Sequence, residues 1–177
     1  EKEIDKVYQV EKNINFLNHS ITDYLVKVNQ TTLPIEDLKS LGALFHVVND
    51  IERIGDHAEN FHEIGQEMLG KKIAFSEVAL SDIKQMHRIV IEMIAIAKDA
   101  FDAENPEHLP ALAKLENQTD EMKRAFSAKH FSRLSEGSCS LEVSPYYTST
   151  ITGLERVADH IVNVGYSICN PVGDDKE

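Results

Sequence analysis

The sequence has 177 residues, of which 42% are hydrophobic and 27% charged, a balance typical of one soluble globular domain or of two small repeats that share a core. A formal net charge of −12 argues against binding to a nucleic-acid backbone, because that interaction depends on a basic surface. No stretch approaches the roughly 20 consecutive apolar residues of a membrane-spanning helix.

Hydrophobic residues recur every three or four positions along the chain, which indicates amphipathic α-helices. The pattern predicts five long helices, at about residues 4–29, 34–69, 76–103, 107–135 and 145–169. Pro34 suits the first turn of the second helix, and Asn105-Pro106 separates the third from the fourth. No segment alternates with period two for long enough to form a strand. We therefore predict an all-α fold, an elongated antiparallel bundle in which short connections make successive helices neighbours.

An acidic motif occurs twice in the chain. Glu52 and Asp56 are four residues apart, and Glu155 and Asp159 repeat them 103 positions later, together with matching Arg, His and Asn residues. On a helix this spacing places both carboxylates of a pair on one face, with their Cβ atoms about 5–6 Å apart. Like charges at that distance repel, so each pair either forms a solvated face or shares a cation. A helical projection places both pairs away from the apolar stripe, and we expect them to face outward.

The helix before each motif adds further acids. Glu116 and Asp120 lie in the fourth predicted helix, while the first has Glu11 and Asn15 at positions 105 residues earlier. Two such helices packed as an antiparallel hairpin would bring both sets of acids onto one surface. Three or four oxygen donors in each repeat suit a hard or borderline cation such as Mg²⁺, Mn²⁺, iron or Zn²⁺.

The stretches 50–60 and 154–163 resemble the E(D)xxxD motif of PhoU-like domains, most closely the type that forms the soluble C-terminal part of bacterial sodium/phosphate cotransporters. Outside these stretches the resemblance is weaker but continues in order over nearly the whole chain. It implies a single domain over residues 1–177 built from two tandem three-helix repeats. Residues 1–72 would form a first repeat that lacks its opening helix, expected upstream of Glu1, and residues 75–170 would form a complete second repeat.

The resemblance also implies a function. It implies metal ligation, with iron or zinc expected and manganese, nickel or magnesium as alternatives, by Glu52, Asp56, Glu155 and Asp159, with Glu11, Glu116 and Asp120 in support. Because Asn15 removes one charge, we expect the first site to bind metal more weakly or not at all. The implied role is a regulatory module of phosphate transport and homeostasis at the cytoplasmic face of the inner membrane, not an enzyme. Expected partners are the membrane domain of a transporter or other phosphate-uptake components, inorganic phosphate held by the metal, and a second copy of the chain.

Two alternatives remain open. A ferritin-like di-metal carboxylate enzyme needs Glu-x-x-His on two helices, and this chain offers one such motif, Glu59-x-x-His62. The other alternative is a metal-free interaction bundle, in which the acids form a solvated or partner-binding face. Neither a nucleophile elbow nor a phosphate-cradling glycine loop is present in the sequence. We predict that His57 and His160 serve packing or lie at the surface, because each projects about 100° from the Asp before it.

Overall fold

The structure, a computed structural model, describes residues 2–103 and 106–169, and over these residues helices joined by short turns and loops form the fold. Its five α-helices are α1 (Lys2–Asn29), α2 (Ile35–Lys71), α3 (Glu77–Ala103), α4 (Leu109–Ser135) and α5 (Ser144–Cys169). A short 3-10 helix, Pro106–His108, leads into α4. No strand occurs among the described residues. The predicted all-α fold with five long helices is confirmed.

The ends of α2 follow local chemistry. The helix begins after Pro34, whose fixed φ suits the entry to a helix. It runs through Gly70 and ends at Lys71, and the next residue, Lys72, adopts a left-handed conformation with φ 57° and donates its N–H to the carbonyl of Leu69. The sequence predicts an end at residue 69, so α2 extends two residues further because a lysine, not the glycine, takes the left-handed position.

Helix α5 forms the centre of the bundle. It packs against α2, α3 and α4, whereas α1 packs mainly against α2. The largest side chains removed from solvent include Met86 and Met93 of α3, Leu112 of α4, and Tyr147 and Ile151 of α5. Burial of each such side chain contributes about 1.5–3 kcal/mol. The core therefore lies among α3, α4 and α5, with the α1–α2 pair attached along one side through α2.

Helices α2 and α5 run antiparallel to each other. Asp50 near the middle of α2 contacts His160 in the second half of α5, and Glu67 near the end of α2 contacts Tyr146 at the start of α5. Both helices carry the repeated acidic motif, so their packing creates a local pseudo-twofold axis. This axis exchanges each residue of α2 with the residue 103 positions later in α5.

Among the described residues, no helix combines the length and the hydrophobicity that crossing a membrane requires.

Candidate metal centre

Three carboxylates converge between α4 and α5. Glu116 and Asp120 lie one turn apart on α4, and Asp159 approaches them from α5. One oxygen from each of the three lies within 4.8 Å of the other two. The spacing of four residues gives the two α4 acids a common face, and packing against α5 supplies the third. Three carboxylate oxygens at this separation can coordinate one cation.

The electrostatics of this cluster favour a cation. Burial raises the pKa of Asp159, and the neighbouring carboxylates of Glu155, Asp120 and Glu116 raise it further. Both effects arise because a negative charge is poorly solvated there and is repelled by others of the same sign. A bound cation would remove that repulsion and would hold all of these groups ionised.

Glu155 lies beside the cluster but already has a cationic partner. The ammonium of Lys123 is 2.7 Å from a Glu155 carboxylate oxygen, and the two side chains are 32% and 14% exposed. For Glu155 to become a fourth ligand, Lys123 would have to turn away. The sequence-based interpretation missed Lys123, although its position three residues after Asp120 places it on the same face of α4.

The acids of the first repeat are arranged differently. The guanidinium of Arg53 lies 3.1 Å from Asp56 and 3.7 Å from Glu52, and the amide of Asn15 donates a hydrogen bond to Glu11. Arg53 thus neutralises two of the carboxylates, and Asn15 supplies a hydrogen bond to the third. Within the described parts of the chain, no second group of three candidate ligands meets the geometry that Glu116, Asp120 and Asp159 meet.

Two further groups lie near Glu11. Partial burial and then the carboxylates of Glu11, Glu63 and Asp56 raise the pKa of Glu59. Nε2 of His62 is buried without a hydrogen-bond partner, and its ring packs edge-on against Tyr8. In the sequence, Glu59 and His62 form the single Glu-x-x-His motif noted above.

The acids are less exposed than a helical projection predicts. The Glu52 and Glu155 side chains retain only 21% and 14% of their exposure. The projection considers a single apolar stripe, whereas α2 and α5 each contact a second neighbour, α1 and α4 respectively, on the acidic side. The expectation of fully outward-facing pairs was therefore wrong, because the acids line the seams between helices.

The two motif histidines lie on the seam between α2 and α5. Nδ1 of His160 is 2.8 Å from the buried carboxylate of Asp50, and the rings of His57 and His160 are 6.0 Å apart. Burial lowers the pKa of His57, and the nearby His160 and Arg156 lower it further. Neither histidine belongs to the carboxylate cluster. Their positions are those of packing residues that also hold specific polar contacts.

A second polar network lies in the core of the α3–α5 unit. The hydroxyl of Tyr147 donates to the carboxylate of Asp82 at 2.9 Å, and Arg133 lies 3.4 Å from the same carboxylate. Burial, followed by the hydrogen bond to Asp82, raises the pKa of Tyr147 far above its usual range. Nearby, Nε2 of the buried His130 pairs with the hydroxyl of Ser144 at 2.8 Å. This network ties the start of α3 and α5 to the end of α4.

The structure places the chain in the class of all-α antiparallel bundles that carry a carboxylate cluster between two helices. The model of the PhoU domain matches residues 1–64 and 83–168, and the chain belongs to this family. The predicted membership of the PhoU-like domains is thereby confirmed. The closer likeness to the soluble part of sodium/phosphate cotransporters stays a prediction.

Curated relatives and a solved structure agree with this assignment. The chain is 29% identical to the phosphate-specific transport system accessory protein PhoU homolog 1 of Thermotoga maritima over 160 residues, covering 90% of this chain and 68% of that protein. It is 24% identical to the corresponding homolog of Streptococcus pneumoniae over 130 residues, covering 73% of this chain but 59% of the relative. The chain thus spans about 60 to 70% of their lengths.

The crystal structure of PhoU from Pseudomonas aeruginosa superposes with a TM-score of 0.87. The match covers 97% of this chain and 82% of that one at 19% sequence identity. At this identity the likeness establishes the fold.

Proposed function

We propose that the chain is a non-enzymatic regulator of phosphate transport that holds a metal ion at the carboxylates of α4 and α5. The regulatory role is supported by membership of the PhoU domain family and by relatives named as accessory proteins of a phosphate-specific transport system. The metal-binding role is carried by one observation, the convergence of Glu116, Asp120 and Asp159.

The donor set fits iron or zinc, and it would also accept manganese, nickel or magnesium. A bound cation would offset the burial and the neighbouring carboxylates that raise the pKa of Asp159, and Glu155 is the fourth candidate ligand. When bound, the metal would supply a positive charge on a strongly acidic surface, to which inorganic phosphate could attach through an open coordination position. The residues of the protein would orient the ion and set its net charge.

The acids of the first repeat form a weaker candidate site. Glu52 and Asp56 already share the guanidinium of Arg53, and Glu11 is held by the amide of Asn15. A metal ion would have to displace these partners. We therefore expect the second site to fill first.

The division of the chain into two unequal repeats is part of the proposal. The first unit, residues 1–72, contains α1 and α2, while the second, residues 75–170, contains α3, α4 and α5. The family model also matches the chain in two segments. Residues 1–64 lie in the first unit, and residues 83–168 lie in the second. Such a module could be the soluble part of a sodium/phosphate cotransporter at the inner face of the membrane, with the transporter's membrane domain or a second copy of the chain as its partner.

Elemental analysis by mass spectrometry tests the metal site. We expect untagged protein purified without chelator to carry at least about one equivalent of iron, zinc, manganese or nickel, as a multi-carboxylate site should. An Asp120→Asn, Asp159→Asn double variant should lose it, while the matched Glu52→Gln, Asp56→Asn variant of the first repeat should retain it. Parent protein that is metal-free and takes up none of these ions on titration would contradict the proposal and favour the metal-free interaction bundle.

Phosphate uptake in cells tests the regulatory role separately. Cells that lack this protein should take up labelled phosphate abnormally after a shift from low to high phosphate, and the full-length gene should restore normal uptake. Unchanged uptake in the deleted cells under both conditions would contradict the regulatory proposal, whatever the metal content of the protein.

A further inference from the structure

The carboxylate cluster between α4 and α5 already has one cation beside it. The ammonium of Lys123 is 2.7 Å from one carboxylate oxygen of Glu155. After burial, Glu155 is the group that most raises the pKa of Asp159, so it belongs to the same patch of negative charge. Of the four acids in this patch, Glu155 is the only one that forms an ion pair within the described parts of the chain. Lys123 thus offsets part of the charge that a metal ion would offset.

The α1–α2 pair obtains its cation from a different position. The residue of α1 that corresponds to Lys123 is Asn18, whose amide oxygen accepts a hydrogen bond from Thr22. The cation there is Arg53 of α2, which pairs with two acids of its own helix. Its counterpart in α5, Arg156, forms no ion pair with any described carboxylate. The cation at the α4–α5 cluster therefore bridges two helices, as a metal ion shared by those helices would.

The contact between Lys123 and Glu155 is suited to displacement. The two side chains are 32% and 14% exposed, so the ammonium can move into solvent while the carboxylate stays within the cluster. Lysine has a compact charge on a flexible stem, whereas arginine can hold both oxygens of a carboxylate at once. Ion pairs with a partly exposed cation are weak. Positions 116, 120 and 123 share one face of α4, so a cation held by the acids at 116 and 120 would repel the ammonium.

We propose that Lys123 is an intramolecular competitor of the metal ion, an inference that rests on the metal site of the proposed function. In the empty site Glu155 pairs with Lys123. In the loaded site Glu155 joins the other three carboxylates on the ion, and the Lys123 side chain moves into solvent. Separating Glu155 from Lys123 weakens the net affinity for metal, so the site fills and empties with the concentration of free metal. A regulatory site requires such reversible loading.

Titration of the chelator-treated full chain with Zn²⁺ against a competing chromophoric chelator tests this role. Lys123→Met keeps the apolar stem and removes a charge that opposes the ion, so it should bind the first Zn²⁺ at least ~10-fold more tightly than the parent. Lys123→Arg keeps the charge and should bind no more tightly than the parent. The control Lys129→Met removes the same charge from an exposed position of α4, about 9 Å further along the helix, and should leave the affinity unaltered at physiological ionic strength.

A second comparison asks whether Lys123 acts through Glu155. In a Glu155→Gln background, the change Lys123→Met should tighten Zn²⁺ binding by less than ~3-fold, because the competing pair is already absent. The same tightening in both backgrounds would overturn the exchange of partner.

The outcomes also separate this inference from the metal site on which it rests. Because Lys123 is partly exposed, its variants should fold, and circular dichroism of the metal-free proteins checks this. Equal Zn²⁺ affinity of the parent and Lys123→Met, with at least one ion bound by both, would overturn the role of Lys123 and leave the metal site standing. Failure of both proteins to bind Zn²⁺ would overturn the role of Lys123 together with the proposed site.

Discussion

The α1–α2 pair and the α4–α5 pair have the same helical plan and opposite degrees of burial. In α5, Tyr147 and Leu154 are 1% and 4% exposed, while their counterparts in α2, Leu44 and Ile51, are 39% and 44% exposed. The apolar character of the positions is retained in both pairs. The difference is that α3 covers the α4–α5 pair, and no described helix takes the same place on α1–α2. The repeated sequence pattern thus specifies the pair of helices, and packing of a third helix determines which of their apolar side chains are buried.

The acidic surfaces between the helices of each pair differ in a similar way. We call the one between α1 and α2 the first seam and the one between α4 and α5 the second seam. Asp120 in α4 completes a group of three convergent carboxylates, whereas its counterpart in α1 is Asn15, which instead donates a hydrogen bond to Glu11. Arg53 then neutralises the other two acids of the first seam. Two differences therefore distinguish the candidate metal site from the first seam. Asn15 replaces a carboxylate, and Arg53 neutralises the acids that remain.

The largest effect is expected from the buried network of the α3–α5 unit. Arg133→Met should lower the free energy of unfolding by about 3–5 kcal/mol, because it leaves the carboxylate of Asp82 buried without its cation. The counterpart of Arg133 in the first unit is Val28, so no substitution there would leave a buried charge without its partner. Urea denaturation measures the loss, and the double variant Asp82→Leu, Arg133→Met should recover much of it. A single variant as stable as the parent would show that the pair contributes little.

A pair of core truncations sharpens the comparison of burial. Leu154→Ala should cost about 2–4 kcal/mol, because it opens a cavity in the packed core. The matched Ile51→Ala should cost less than about 1 kcal/mol, because its side chain is half exposed. Both are read from urea midpoints at unchanged slope. Similar losses at the two positions would mean that a partner covers α2 in solution.

We predict that the proposed metal site can be reproduced between α1 and α2. Asn15→Asp combined with Arg53→Gln should raise the metal content by up to about one equivalent, since it restores the missing charge and frees Glu52 and Asp56. The parent should also melt at a higher temperature with metal than after chelation. When the free metal concentration is 100 times its dissociation constant, binding should raise the free energy of unfolding by about 2.7 kcal/mol. Elemental analysis and thermal melting check these outcomes. An unchanged metal content in the variant would show that the seams differ in more than charge.

The smallest effect is the pH dependence of stability that His130 of the second unit contributes. Burial, and then the charge of Arg133, lowers the pKa of His130 below its ordinary 6.5, so the unfolded chain binds a proton more readily than the folded one. This contribution to stability is complete above pH 6.5 and is lost as the pH falls below it. The counterpart of His130 in α1 is Leu25, which does not titrate.

Urea denaturation of the parent and of His130→Gln at pH 7.5 and 5.5 measures this contribution. The parent should lose more stability on acidification than the variant does. An equal loss in the two proteins would assign the pH dependence to other groups.

Much of the fold follows from local rules that the sequence displays. Apolar residues at three- and four-residue spacing predict the helices, and Pro34 and Asn105-Pro106 mark their limits. The constant offset of the acidic motifs relates α2 to α5, and the convergence of Glu116, Asp120 and Asp159 requires only that α4 and α5 pack side by side. Periodicity within each helix, together with the packing of helices that are neighbours in sequence, is enough for these inferences.

The contacts that the sequence did not reveal are tertiary. Lys123 reaches Glu155 on another helix, Asp50 finds His160 across the α2–α5 seam, and Asp82 is buried in an otherwise apolar face. A single-helix projection assigns such groups to solvent, because it contains no information about the neighbouring helix.

The central claim is that the two seams differ, with a metal ion held by the α4–α5 carboxylates. The most direct measurement is a crystal structure of protein purified without chelator, with anomalous diffraction data collected at the absorption edge of the metal found by elemental analysis. We expect an anomalous peak among Glu116, Asp120 and Asp159, stronger than any peak near Glu52 and Asp56. A peak confined to the first seam, or none at either seam after soaking with iron and zinc salts, would contradict it.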